Sequence, residues 1–338
     1  MNLNYPWQKS DWERLQTTRH RLPQALLLHG LAGIGKVELA QAFARSLLCQ
    51  HPQADGHACG ACAACRWFGQ GTHPDFRLLQ PGALSEGEEG EEEGGKSKKK
   101  PSKQIKIEQI RALADFVSLS AHQGGRRVVL IHPAESMNPN AANALLKMLE
   151  EPPADLLFIL VSHQSQRLLP TILSRCLDFP LGVPDAAVAI EWLQQQGVAK
   201  AAEALAMAGF APLQAQSQVD DHEHRDKLLA GLRQPSRLDV FALTDALLKV
   251  EQVRVVHWLQ QWCYDLLRAQ HSGSVRYHLA DQARMQKMAA VLNPFGLMQW
   301  QKQLTTARRE ALHTLNPKLF FESLLLNYVE LFRRTTKG

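Results

Sequence analysis

"HGLAGIGKVEL", residues 29–39, is the stretch on which the fold turns. Gly30, Gly35 and Lys36 satisfy G-x-x-x-x-G-K, and Gly33 lies inside the loop. In such a loop backbone N–H groups cradle phosphates, the lysine reaches the terminal phosphates, and a Ser or Thr after the lysine ligates magnesium. Val37 holds that last position and has no oxygen to offer. The flanks suit the motif. "QALLLHG" (24–30) reads as a short buried strand, and "VELAQAFARSLLCQ" carries apolar residues at helical spacing.

Further along, "IKIEQIRALADFVSL" predicts a short strand and then a helix with Ile110, Leu113, Phe116 and Val117 on one face. "RRVVLIHPAESM" reads as a buried strand, "NPNAANALLKMLEEPP" as a helix stopped by Pro152 and Pro153, and "LLFILVS" as a fully apolar strand. Alternating strands and helices argue for a parallel sheet covered on both faces. After Pro184 the strand signals vanish. "DAAVAIEWLQQQGVAKAAEALAMAGF" reads as a small helical unit ending near Gly209, and amphipathic helices follow from about Asp220 to Arg334. Their breaks fall at Gly231, Pro235, residues 272–274, Pro294 and Pro317. The expected class is α/β plus α: an α/β domain at 1–181, a helical lid at 182–212 and an all-α domain at 213–338.

The 338 residues are 45% hydrophobic and 21% charged with a net charge of +5, which suits a soluble globular chain with only a mild bias toward nucleic acid. No apolar run approaches the ~20 residues that span a bilayer, and "MNLNYPWQKSDWERL" lacks the basic-then-apolar order of a secretory signal. The cytoplasm is expected, with no membrane partner. Residues 81–104 hold six Glu and then five Lys with almost nothing apolar, so a disordered surface loop is expected; a docking arm is the alternative.

Cys49, Cys59, Cys62 and Cys65 give C-x9-C-x2-C-x2-C. Two-residue gaps let thiolates converge on one tetrahedral zinc, and four sulfurs leave no open position, so such a site is structural. Four thiolates also suit an iron–sulfur cluster, which spacing does not exclude. Free structural cysteines and a redox C-x-x-C are the other readings. His57 and His73 are nearby ligand candidates, though surface placement is the commoner role for such residues.

Taken together, "YPWQ", the phosphate loop, the cysteine cluster, "GTHPDFRLL", "AANALLKMLEEPP", "TILSRC" and "HTLNPKLFFESLLL" resemble the clamp-loader branch of the AAA+ proteins over the whole chain. The resemblance implies a hetero-pentameric arc with gamma/tau and delta subunits, acting with a sliding clamp and primed DNA within a DNA polymerase holoenzyme, and a C-terminal collar domain. Each ATP site there lies between neighbours, one supplying the loop and an acidic pair, the next an arginine from "SRC". Carried over, that arginine is Arg175, whose alternative roles are capping a helix or binding a carboxylate. The acidic pair is replaced by His132 and Pro133, with Glu135 two residues on, the polar sensor falls at Ser162 or His163, and the second sensor arginine gives way near Pro212. With Val37, these losses imply a non-hydrolysing subunit in which Gly30, Gly33, Gly35 and Lys36 form a degenerate loop that binds ATP weakly or not at all. An active motor ATPase and an independent zinc-ribbon nucleic-acid-binding protein are the alternatives. The first needs a hydroxyl at 37 and acids at 132–133, and the second needs a basic stripe with exposed aromatics.

Overall fold

A computed structural model describes residues 5–84, 102–118, 125–151, 153, 155–217, 222–312 and 316–333. The chain divides into two compact units, 1–188 and 189–338.

The first unit runs α1 (Lys9–Thr18), β1 (Ala25–His29), α2 (Lys36–Leu48), α3 (Ala63–Gly69), β2 (Phe76–Leu79), α4 (Ile107–Arg111), α5 (Leu113–Ser118), β3 (Arg127–Ile131), α6 (Pro139–Glu150), β4 (Leu156–Ser162), α7 (Pro170–Leu173) and β5 (Leu177–Pro180). The five strands form one sheet in the order β2-β3-β4-β1-β5, with every pair parallel. Strand periodicity sorts the apolar residues onto two faces. Leu27, Val129, Ile131, Phe158 and Leu160 face a core shared with Ile110, Leu145 and Ile172. Leu26, Leu28, Val128, Leu130, Ile159 and Val161 face another, shared with Trp12, Leu39 and Phe43. Burial on both sides explains why β1, β3 and β4 read as continuous apolar runs.

Local signals set the helix ends. Asn138 caps α6 by accepting the Ala141 N–H at 2.8 Å, with Pro139 as the first helical residue. Two strands escape the sequence reading, β2 and β5, which lie at the sheet edges and bury only one residue each. The strand expected near Ile105 is a single bridge to Met137. The helix expected after it is interrupted at Ala112, between α4 and α5, although Ile110, Leu113 and Phe116 are all buried as one face requires. Most of the charged run at 81–104 lies outside the described residues. Of its ends, Gly82–Leu84 forms a 3-10 turn, and the Ala83 N–H donates to the Ser102 carbonyl at 3.0 Å.

The helix α8 (Ala186–Gln195) leads into the second unit, which continues with α9 (Ala201–Met207), α10 (Pro212–Ser217), α11 (His222–Leu232), α12 (Val240–Leu247), α13 (Gln252–Ser272), α14 (Gln282–Val291), α15 (Pro294–Glu310) and α16 (Pro317–Arg333). A small core of Ala189, Leu193, Ala201, Leu205 and Ala215 joins α8 to α10. A larger one is built around Trp262, Trp300, Phe321 and Tyr328. Breaks fall where the sequence placed them: α13 ends with Gly273 in the left-handed region as its C-cap, and Pro294 and Pro317 open α15 and α16. Gly231 is the exception, lying inside α11 one residue before its end, where an added Cβ would strike Leu238.

Candidate functional site

The phosphate loop leaves the carboxyl end of β1, the edge where ligands sit in open parallel α/β sheets. Gly35 is the N-cap of α2 at φ +85°, and a Cβ there would collide with the Tyr5 ring and the Gln8 amide. Glycine is therefore required by both conformation and space. Gly30, Gly33, Gly35 and Lys36 come together as one loop. The segment before α1 holds it from outside: Gln8 Nε2 donates to the carbonyls of Ile34 at 2.9 Å and Gly35 at 2.6 Å, and Trp7 Nε1 donates to Ile34 at 3.0 Å. Tyr5 stacks on Trp7 with ring centroids 4.9 Å apart. "YPWQ" is thus a clamp on the loop, a role that sequence reading missed because its partners lie 26 or more positions away.

Lys36 is 2% exposed, and its ammonium donates back to the loop's own carbonyls, Gly30 at 2.9 Å and Leu31. Burial lowers its pKa to about 8 against the opposing pull of Glu135 and Glu38. Beyond β3, His132 packs edge-on against His163 with centroids 5.2 Å apart. Glu135 Oε1 accepts the His163 N–H at 3.0 Å. Burial first, and then the neighbouring His163, push the His132 imidazole down to about 4, and burial also lowers His163. At neutral pH both imidazoles are thus uncharged, and neither offers the carboxylate oxygens that magnesium prefers. Ser162 closes β4, fully buried, opposite His29 of β1, and Pro212 is the first residue of α10.

Arg175 follows α7 at the molecular surface. Its Nη2 donates to Glu150 Oε1 at 2.9 Å and its Nη1 to the Thr171 carbonyl at 3.0 Å. The carboxylate partner anticipated as an alternative role is real, but the pair is half exposed, so the guanidinium stays within reach of solvent.

The four cysteines converge from the end of α2 and the start of α3, their sulfurs all within 4.8 Å of one another, so the group could hold a metal ion. Cys49–Cys62 and Cys59–Cys65 sulfur separations are 3.9 and 4.0 Å. A tetrahedral zinc with Zn–S bonds of 2.3 Å spaces its sulfurs about 3.8 Å apart, so the spacing fits. Backbone N–H groups of Cys59, Cys62 and Cys65 point at the sulfurs of Cys49, Cys59 and Cys62. Such donors favour thiolate, and those of Ala61 and Cys62 lower Cys59 to about 6. His57 instead stacks on Trp12 at 4.1 Å, and His73 accepts the Asp75 N–H through Nδ1, so neither belongs to the cluster.

An all-parallel sheet with β4 between β1 and β3, a glycine loop opening α2 and a separate helical unit define a protein of the AAA+ type. Profiles described as "DNA polymerase III, delta subunit" and "DNA polymerase III, delta subunit, C terminal" match residues 7–184 and 220–330. The chain is 38% identical to the DNA polymerase III subunit delta' of Pseudomonas aeruginosa, over 97% of this chain and 98% of that one. It is 31% identical to the same subunit of Escherichia coli, over 95% and 94%. Among solved structures it is similar to a gamma-subunit-related protein of Thermotoga maritima, at 20% identity over 96% of this chain and 100% of that one, with a TM-score of 0.48. The chain belongs to the delta-prime family of DNA polymerase III subunits, within the clamp loaders.

Proposed function

We propose that this chain is the non-hydrolysing member of a hetero-pentameric clamp loader, completing a neighbouring gamma/tau subunit's ATP site with Arg175. The carrying observation is the state of its own loop. Val37 supplies no oxygen, and His132 and Pro133 stand where the resemblance places the acidic pair, with Glu135 two residues on. Phosphoryl transfer depends on metal and charge stabilisation, so each of these differences removes part of the catalysis. They count against the motor-ATPase reading and for weak or absent ATP binding at Gly30, Gly33, Gly35 and Lys36.

On this reading Arg175 presents a planar cation to the neighbour's γ-phosphate, while Cys49, Cys59, Cys62 and Cys65 hold a structural zinc that takes no part in chemistry. Residues 1–181, 182–212 and 213–338 act as AAA+ domain, lid and collar. The partners are the gamma/tau and delta subunits, the sliding clamp and primed DNA, in the cytoplasm. No helix among the described residues is long and apolar enough to cross a membrane.

The test is Arg175→Ala in the reconstituted complex. Arginine fingers contribute ~10³-fold or more at the site they serve, so turnover there should be lost while monomer melting and assembly stay unchanged. Normal ATPase and clamp loading in a correctly assembled mutant complex would reject the proposal.

A further inference from the structure

We infer that Glu150 is the positioning residue for Arg175, holding its guanidinium in the orientation presented to the neighbouring subunit; this rests on the trans-acting reading of Arg175. Four rotatable side-chain bonds separate a guanidinium from its backbone, and a surface arginine left to itself spreads over many rotamers. Here the two terminal nitrogens are taken by different acceptors, Nη2 by Glu150 Oε1 at 2.9 Å and Nη1 by the Thr171 carbonyl at 3.0 Å. Two acceptors on separate nitrogens define the plane of the group. The side chains remain 35% and 52% exposed for Arg175 and Glu150, so the face turned away from these acceptors is open to a partner.

Both anchors belong to helices packed into one core. Glu150 is the last residue of α6, whose Ala141, Leu145 and Leu149 are buried in the core that also takes Ile172 of α7. The backbone N–H of Arg175 donates to Ile172 at 3.1 Å, fixing the start of the side chain to the same helix that supplies the Thr171 carbonyl. The position of Glu150 is otherwise unfavourable. A carboxylate in the last helical turn faces the negative end of the macrodipole, where a cation is preferred. A local rule broken at an exposed residue points to a use for it, and the partner Glu150 meets is Arg175. Holding a reacting or charge-stabilising group near its working geometry before the partner arrives lowers the cost of engaging it.

The experiment is a double-mutant cycle in the assembled complex, reading kcat and KM for ATP with clamp and primed DNA present. Glu150→Ala should lower kcat roughly two- to fivefold, the range of an exposed ion pair, with KM and the monomer melting temperature unchanged. Glu150→Gln, which keeps an acceptor oxygen, should recover most of that loss. In the Arg175→Ala background Glu150→Ala should add nothing. Wild-type kcat for Glu150→Ala alongside an impaired Arg175→Ala would overturn the inference and leave the trans reading standing. So would a further loss on top of Arg175→Ala, or a raised kcat, which would make Glu150 a restraint. An Arg175→Ala complex with full ATPase removes both proposals together.

Discussion

At the scale of single residues, His132 is a buried imidazole beside the loop whose protonation is coupled to folding. It faces His163, Glu135 and Lys36, and burial holds its imidazole at about 4 against 6.5 in the unfolded chain. An imidazole with a depressed folded value takes up its proton more readily when the chain unfolds, so its contribution is present above pH 6.5 and lost as pH falls through about 4. The melting temperature should therefore decline across that window, and His132→Gln should flatten the decline. Melting curves between about pH 7 and pH 4 test this, and identical slopes for the two proteins would contradict it.

At the scale of elements, the cysteine module joins the end of α2 to the start of α3, and Trp12 of α1 packs on it by stacking His57 and donating to the Asp55 carbonyl at 3.0 Å. Small loops of this kind have little core, and a bound ion replaces it. An ion held at a thousandfold excess over its Kd adds about 4 kcal/mol, equivalent to roughly ten degrees of melting temperature in a unit of this size. Purified protein should carry one zinc, and Cys62→Ser should lose both the metal and most of that stability. Iron found in its place, or no metal in protein kept reduced, would show the assignment to be wrong.

At the scale of the whole molecule, each unit depends on its own interior. In the second, Asp265 is fully buried and accepts N–H groups from Arg276, Tyr277 and His278 at 2.7 to 2.9 Å, with His278 Nδ1 at 2.9 Å. Burial by itself would raise this carboxyl, but the His278 side chain and the backbone donors outweigh it and hold its pKa below 3.8. Its stabilisation is thus present above that value and lost only in stronger acid. Removing one side of a buried hydrogen-bonded pair strands the other, so Asp265→Ala should cost about 3–5 kcal/mol. Urea unfolding followed through the helical signal measures it, and a loss below about 1 kcal/mol would mean that water replaces the carboxylate.

The sequence by itself determined the sheet class, the central strands, the loop and the metal-capable cysteines, because each rests on neighbours within a few positions: apolar runs, glycines beside a lysine, thiols two residues apart. The missing hydroxyl at Val37 was legible for the same reason, whereas the reading of His132 and Pro133 as replaced acids came only from the resemblance to clamp loaders. The edge strands β2 and β5 were not legible, since their pairing comes from β3 and β1 rather than from their own composition. Nor were the clamp of Trp7 and Gln8 on the loop, the return of Lys36 onto its carbonyls, or the grip of Glu150 on Arg175. Those contacts join residues that carry no mutual signal along the chain, and only packing in three dimensions brings a donor to its acceptor.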